Sequence, residues 1–252
     1  MSDTRRVAVV LGGSSGLGAA IAERYITDGI HTYVGYRAGR DRAVGLVERL
    51  TSSGGSATPV HVDVTDESSV VDVFNRVNEE AGRLDVLVCS AVTEIAKTLE
   101  DASLDEWHTV VGTKLDQCFL GTKYALPLLK TTAGGQVIYL TSHDGVNPNA
   151  DYIGYCTGTA GIIAFVKAMA TYLPRFGARA NAISPGAVKT PLWDALGGDD
   201  PALWESLSSS NPMGRLATPE EIAAAAAWLI GAEAQMINGL FLYVDGGSRW
   251  KS

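Results

Sequence analysis

The chain comprises 252 residues, 46% of them hydrophobic and 19% charged, which suffices for one large α/β core and falls short of two. Its formal charge of −8 comes from Asp and Glu scattered along the sequence. That balance excludes a broad electrostatic grip on nucleic acid or an anionic membrane, so any phosphate must be held locally.

Short β-branched runs alternate with longer stretches of helical period. Val7–Leu11, Thr32–Gly35, Pro59–Val62, Val86–Cys89, Gln136–Thr141, Arg179–Ile183 and Leu240–Val244 read as strands. The segments around Ala19–Asp28, Arg42–Ser52, Glu67–Ala81, Leu104–Leu129, Tyr155–Phe176 and Pro219–Ile230 read as helices. Strands that are apolar throughout need cover on both faces. The pattern therefore predicts one α/β domain over residues 1–252, built on a doubly wound, seven-stranded parallel sheet. Ligands in that architecture bind beyond the carboxyl ends of the strands, which gathers the loops after Leu11, Val62, Cys89, Thr141 and Ile183 into one crevice.

The longest irregular stretch, residues 187–218, contains Pro191, Pro201 and Pro212 with the apolar Trp193, Leu196 and Trp204. A mere connector does not need that set, so it reads as a mobile substrate lid. The alternative is that the tryptophans pack against a neighbouring helix or subunit.

Several features bound the surroundings. Cys89, Cys118 and Cys156 are odd in number and include no CxxC pair, so no disulfide framework is expected and a reducing cytoplasm fits. The apolar run after Arg5 and Arg6 ends too soon for a signal core or a membrane span. His31, His61, His108 and His143 show no metal-binding spacing, and no metal is expected.

The first strand leads into Gly12-Gly13-Ser14-Ser15-Gly16-Leu17-Gly18 and then into helical periodicity. Glycines let the backbone turn tightly and let a pyrophosphate approach a helix N-terminus, where unpaired N–H groups and the helix dipole favour an anion. With a strand before it and a helix after it, this is a dinucleotide fingerprint. The second strand ends at Tyr36-Arg37, where an NAD-preferring fold carries an acidic residue for the ribose hydroxyls. A guanidinium suits a 2′-phosphate, so NADPH (NADP+) is expected, with Arg40 and Arg42 as further contacts.

These residues resemble the classical branch of the short-chain dehydrogenase/reductase family, a Rossmann fold, over nearly the whole chain. Gly12–Gly18 resembles its TGxxxGxG motif with Leu11 in place of Thr, and Asp63-Val64 resembles its adenine-contacting pair. Pro185-Gly186 with Val188 and Thr190 resembles its PGxxxT segment, and Asp245-Gly246-Gly247 its C-terminal signature. Ser142 and Tyr155 have the spacing of its catalytic Ser and Tyr. The resemblance implies cofactor contacts at Gly12, Ser14, Ser15, Gly16, Leu17, Gly18, Arg37, Asp63, Val64, Ala91, Tyr155, Pro185, Gly186, Val188 and Thr190. It also implies a homodimer or homotetramer joined through the two long helices.

Two departures stand out. The family's YxxxK reads Tyr155-Cys156-Thr157-Gly158-Thr159, and its Asn seven residues after Trp107 is Lys114. Its NNAG stretch is Cys89-Ser90-Ala91-Val92. In the family the Lys holds the nicotinamide ribose and favours the Tyr phenolate, while the Asn orders water behind it. Without a cation at Thr159, Tyr155 loses roughly 3 kcal/mol of support for its phenolate, at about 5 Å and an effective dielectric of about 20. An un-ionised phenol still donates a proton to a carbonyl oxygen, so reduction is favoured.

Lys114 has two readings: its ammonium replaces the missing charge above Thr159, or it faces solvent or a subunit contact. Lys189 is a second cation beside the nicotinamide segment, and His143 and Asp144 are expected to face the substrate. Three functions follow: NADPH-dependent carbonyl reduction with Ser142, Tyr155 and Lys114 as catalytic residues, conjugate reduction of an enone or enoyl thioester, or a non-catalytic NADP(H)-binding sensor or partner subunit.

Overall fold

The computed structural model describes residues 5–93, 95–132, 134–194, 198 and 200–248. Seven strands form one sheet: β1 (Val7–Leu11), β2 (His31–Tyr36), β3 (Ala57–His61), β4 (Val86–Cys89), β5 (Gln136–Leu140), β6 (Arg179–Pro185) and β7 (Phe241–Val244). Every pairing is parallel and the order is β3-β2-β1-β4-β5-β6-β7. Strands of this kind are covered on both faces, which is why β1, β4 and β5 are buried at every position. The helices α1 (Gly16–Thr27), α2 (Arg40–Ser52) and α8 (Pro219–Leu229) enclose one apolar layer, centred on Val10, Ile21, Tyr25 and Ile222. The opposite layer lies under α3 (Glu67–Ala81), α4 (Leu104–Leu129) and α5 (Ile153–Tyr172), centred on Leu11, Leu87, Cys118, Tyr139 and Ile162.

Chain direction reverses its winding between β1 and β4, which puts the switch point of the sheet beside the Gly12–Gly18 turn. Local signals set the helix starts. A capping box joins Ser103 to Glu106 at α4 and another joins Thr218 to Glu221 at α8, each satisfying two backbone N–H groups. Helix α5 with its 3-10 extension, Ile153–Phe176, is long and apolar enough to cross a membrane by length and composition. Its packing against α4 and β6 makes it a layer of this fold.

The stretch expected to be irregular contains two helices, α6 (Pro191–Asp194) and α7 (Pro201–Ser210). Asp200 caps α7 by accepting from Ala202 N–H at 2.9 Å, and Pro201 opens it, a start signal that the serine-rich interior obscures in the sequence. Trp193 and Trp204 meet each other edge to face with ring centroids 5.3 Å apart, and Trp204 Nε1 donates to Gly198 O. Leu196 lies outside the described residues.

At the amino edge of the sheet, buried Asp85 accepts Val7 N–H at 2.8 Å and pairs with Arg83 at 2.7 Å. This carboxylate fixes β1 against β4 at the end opposite the ligand crevice. Asp85→Ala leaves a buried N–H without a partner and is expected to destabilise the fold by about 2–4 kcal/mol, whereas Asp85→Asn, which keeps an acceptor, costs less. Urea denaturation of the two variants measures the difference.

Candidate active site

A cleft of about 280 Å³ opens at the carboxyl ends of β1, β2, β4 and β5. Its floor is the glycine-rich turn. A Cβ on Gly12 would lie 2.6 Å from Ala91 Cα, and one on Gly18 would lie 2.2 Å from Gly12 O. No side chain fits at either position, so the glycines let the turn pack directly against the end of β4 and the start of α1, and the turn lines the cleft. Ser15 is the N-cap of α1 and its hydroxyl makes no capping bond, which leaves the first-turn N–H groups for an anion. Ser14, Gly16 and Leu17 line the same wall, with Thr190 packed over Gly16.

Arg37 and Arg42 stand at the β2 end of the cleft, while Arg40 is exposed outside its wall. A Cβ on Gly39 would meet both the Arg42 guanidinium at 2.7 Å and Ser14 Oγ at 2.8 Å, so these two groups converge there. Val64 lines the cleft, whereas the Asp63 carboxylate turns to Thr65 and lies 4.0 Å from Arg37. Burial pushes the Asp63 carboxyl up, but the Thr65 hydrogen bonds and the Arg37 charge outweigh it and hold the group below its ordinary range.

Backbone positions at β4 are held by residues that carry no motif. Ser90 Oγ donates to Leu11 O at 2.7 Å, bridging the ends of β1 and β4. Gln117 on α4 accepts from Ala91 N–H at 2.9 Å and donates to Ala91 O at 2.6 Å, clamping the peptide that faces Gly12. The sequence offered one hint of this, the altered NNAG stretch, which removed the usual side chains from that place. Beneath it, Cys89 and Cys118, remote in sequence, are neighbouring thiols, and burial first and the adjacent thiol second push the Cys89 pKa up.

Tyr155 opens α5 and lines the cleft together with Thr113 and Lys114 of α4. Lys114 is only 4% exposed, and its Nζ lies 4.2 Å from the Tyr155 ring centroid. Gly158 makes room for the lysine stem: a Cβ there would lie 2.9 Å from Lys114 Cβ. Thr159 is fully buried and its Oγ1 has no hydrogen-bond partner, while its carbonyl accepts from Thr141 Oγ1.

Ser142 is buried just past β5, outside the cleft wall, and its hydroxyl donates to Asp144 Oδ2 at 2.9 Å. His143 Nε2 lies 3.3 Å from the other Asp144 oxygen. Pro185, Gly186 and Val188 also lie off the cleft wall: Pro185 ends β6, Gly186 N–H donates to Val244 O, and Val188 bridges to Ala217. Lys189 Nζ lies 5.5 Å from the Trp204 ring centroid. Among the described residues, no group of three or more His, Cys, Asp or Glu gathers as a metal site would.

A dinucleotide fits this cleft by three features of the chain itself: the tightly packed glycine turn that lines it, the uncapped first turn of α1, and the cations at the β2 end. Comparison with known proteins agrees. The family model described as enoyl-(acyl carrier protein) reductase matches residues 12–249. The chain is 33% identical to 3beta-hydroxysteroid dehydrogenase 1 of Eggerthella lenta, covering 96% of this chain and 93% of that protein. A mutant short-chain dehydrogenase/reductase from Serratia marcescens superposes with a TM-score of 0.89 at 28% identity, covering 97% and 98% of the two chains. A 7 alpha-hydroxysteroid dehydrogenase complexed with NADH and 7-oxo glycochenodeoxycholic acid gives 0.90 at 27% identity, covering 96% and 93%. With fold, cleft and relatives in agreement over almost all of its residues, this chain belongs to the short-chain dehydrogenase/reductase family of oxidoreductases.

Proposed function

We propose that the chain is a cytoplasmic, NADPH-dependent reductase that converts the carbonyl group of a small, partly hydrophobic molecule to an alcohol. The observation that carries this reading is the buried Lys114 ammonium over the Tyr155 ring in the wall of the cleft. A cation seated over the ring lies about 5 Å from the phenolic oxygen, and at an effective dielectric of about 20 it favours negative charge there by roughly 3 kcal/mol. Tyr155 gives its proton to the carbonyl oxygen, Lys114 stabilises the charge left behind, and Ser142 is the second hydroxyl at that oxygen. When bound, the reduced nicotinamide supplies the hydride.

Preference for NADPH is supported by Arg37, Arg42 and Ser14 at the ribose end of the cleft, and by the engagement of the nearby Asp63 carboxylate with Thr65. Residues 187–218 serve as the lid over the substrate, with Leu192 reaching the cleft wall. Phe119 on α4 and Tyr172 on α5 are large exposed apolar groups, 53% and 39% exposed, and they support assembly as a homodimer or homotetramer through those helices. A second reading, conjugate reduction of an enone or enoyl thioester, is favoured by the description of the matching family model and by the lost YxxxK pattern. There Lys114 and Tyr155 need only hold an enolate oxygen.

Oxidation of NADPH, followed by absorbance, tests the reading with a panel of cyclic ketones, including oxo-steroids, and of enones and enoyl thioesters. Turnover of ketones supports carbonyl reduction, turnover of the unsaturated set alone moves the assignment to conjugate reduction, and tight NADPH binding with no turnover sinks both. Lys114→Met keeps the packing against Gly158 and removes the charge; its rate is expected to fall about 100-fold, the equivalent of roughly 3 kcal/mol, with cofactor affinity little changed. Replacing Arg37 and Arg42 together by Ala is expected to weaken NADPH about 10- to 100-fold and leave NADH almost unaffected, as titration of cofactor fluorescence would show.

A further inference from the structure

The residues just after β5 form a hydrogen-bonded chain of which the proposed reaction uses only Ser142. Ser142 Oγ donates to Asp144 Oδ2 at 2.9 Å, and Asp144 N–H donates back to Ser142 Oγ at 3.2 Å. The second carboxylate oxygen, Oδ1, lies 3.3 Å from His143 Nε2. A carboxylate thus stands between a buried hydroxyl, 7% exposed, and an imidazole whose side chain is 32% exposed. His143 Nδ1 is buried without a protein partner, and Nε2 is the ring nitrogen that faces Asp144.

This arrangement fixes what Ser142 offers a ligand. Its one proton is given to Asp144 and one lone pair takes the Asp144 N–H, so what remains is an acceptor. An acceptor backed by a carboxylate takes up a proton. An alcohol carries one to give; a ketone carries none.

We infer that Asp144, acting through Ser142, is a second proton route of this site, working beside Tyr155 and needing no lysine at position 159. In alcohol oxidation the substrate O–H proton passes to Ser142 Oγ while Ser142 Hγ passes to Asp144 Oδ2. With an oxidised nicotinamide bound in the cleft, the carbinol hydrogen would leave with its electron pair to it, and the C–O bond would become C=O. The proton held by Asp144 is then lost to water on the solvent side, where His143 holds the other oxygen. Reduction runs the same steps backwards, so one proton accompanies each hydride. Asp144 here is a positioning residue and proton store that acts through Ser142. The inference rests on the alcohol and carbonyl chemistry of the preceding section.

The test is Asp144→Asn in the full-length protein, assayed with the alcohol and ketone that wild type turns over. An amide oxygen still accepts the Ser142 hydrogen bond but does not store the proton, so a structural role survives this change and a proton role does not. The expected result is a fall in kcat of at least about 10-fold, within the range of general acid–base contributions, with KM and cofactor affinity within about twofold of wild type. Asp144→Gly is expected to regain activity with added formate, which Asp144→Asn does not. In the ligand-free protein, 15N NMR is expected to show His143 protonated at Nε2 and to shift on Asp144→Asn, a readout independent of turnover. Near-wild-type kcat in Asp144→Asn, or no formate recovery in Asp144→Gly, overturns the second route and leaves the reductase reading standing. Wild type that binds cofactor but turns over neither alcohol nor ketone overturns both.

Discussion

The site depends on the contact between β1 and β4 at their carboxyl ends. There the backbones of Gly12 and Ala91 come so near that a single added carbon would lie 2.6 Å from its neighbour. Ser90 ties the two strand ends together through Leu11 O, and Gln117 reaches from α4 to hold both polar groups of Ala91. A parallel sheet covered on both faces leaves only its edges for polar chemistry. The close approach at the switch point brings the glycine-rich turn and the uncapped first turn of α1 to one of those edges.

The residues proposed for the reaction stand on two different supports. Tyr155 and Lys114 belong to the packed pair α4 and α5, and the lysine is placed by the absence of a side chain at Gly158. Ser142, His143 and Asp144 belong to the strand end and the 3-10 turn after it, where short-range hydrogen bonds fix their relation. The first support puts a cation over an aromatic ring in the cleft wall, and the second puts a carboxylate behind a buried hydroxyl just past β5.

All seven strands were legible because each is a short, mainly apolar or β-branched run bounded by helical periodicity, and their ends shift by at most two residues. The glycine turn was legible because its chemistry is local. Helix α7 was not, since its start rests on one capping aspartate and a proline, and its serine-rich interior has weak periodicity. The clamp by Gln117, the meeting of Cys89 with Cys118, and the turning of Ser142 towards Asp144 were also hidden. The first two depend on where α4 settles on the sheet, which no spacing within one segment encodes; the third is a local turn bond, hidden because the family spacing assigned the Ser142 hydroxyl to substrate. The likeness to the family pointed to positions 114 and 159 as unusual; only packing shows that Lys114 is buried and faces the ring of Tyr155.

The fit of Lys114 into the notch at Gly158, above a fully buried Thr159, makes these three positions interdependent in descent. A lysine at 159 added to the present chain would bury two ammonium groups beside one phenol, a repulsion of roughly 3 kcal/mol at about 5 Å and an effective dielectric of about 20. Loss of Lys114 alone would remove the cation over the Tyr155 ring, and any side chain at 158 would collide with the lysine stem. Single changes between this arrangement and the usual one therefore pass through a worse intermediate. Homologues that share the exchange are expected to carry all three residues together.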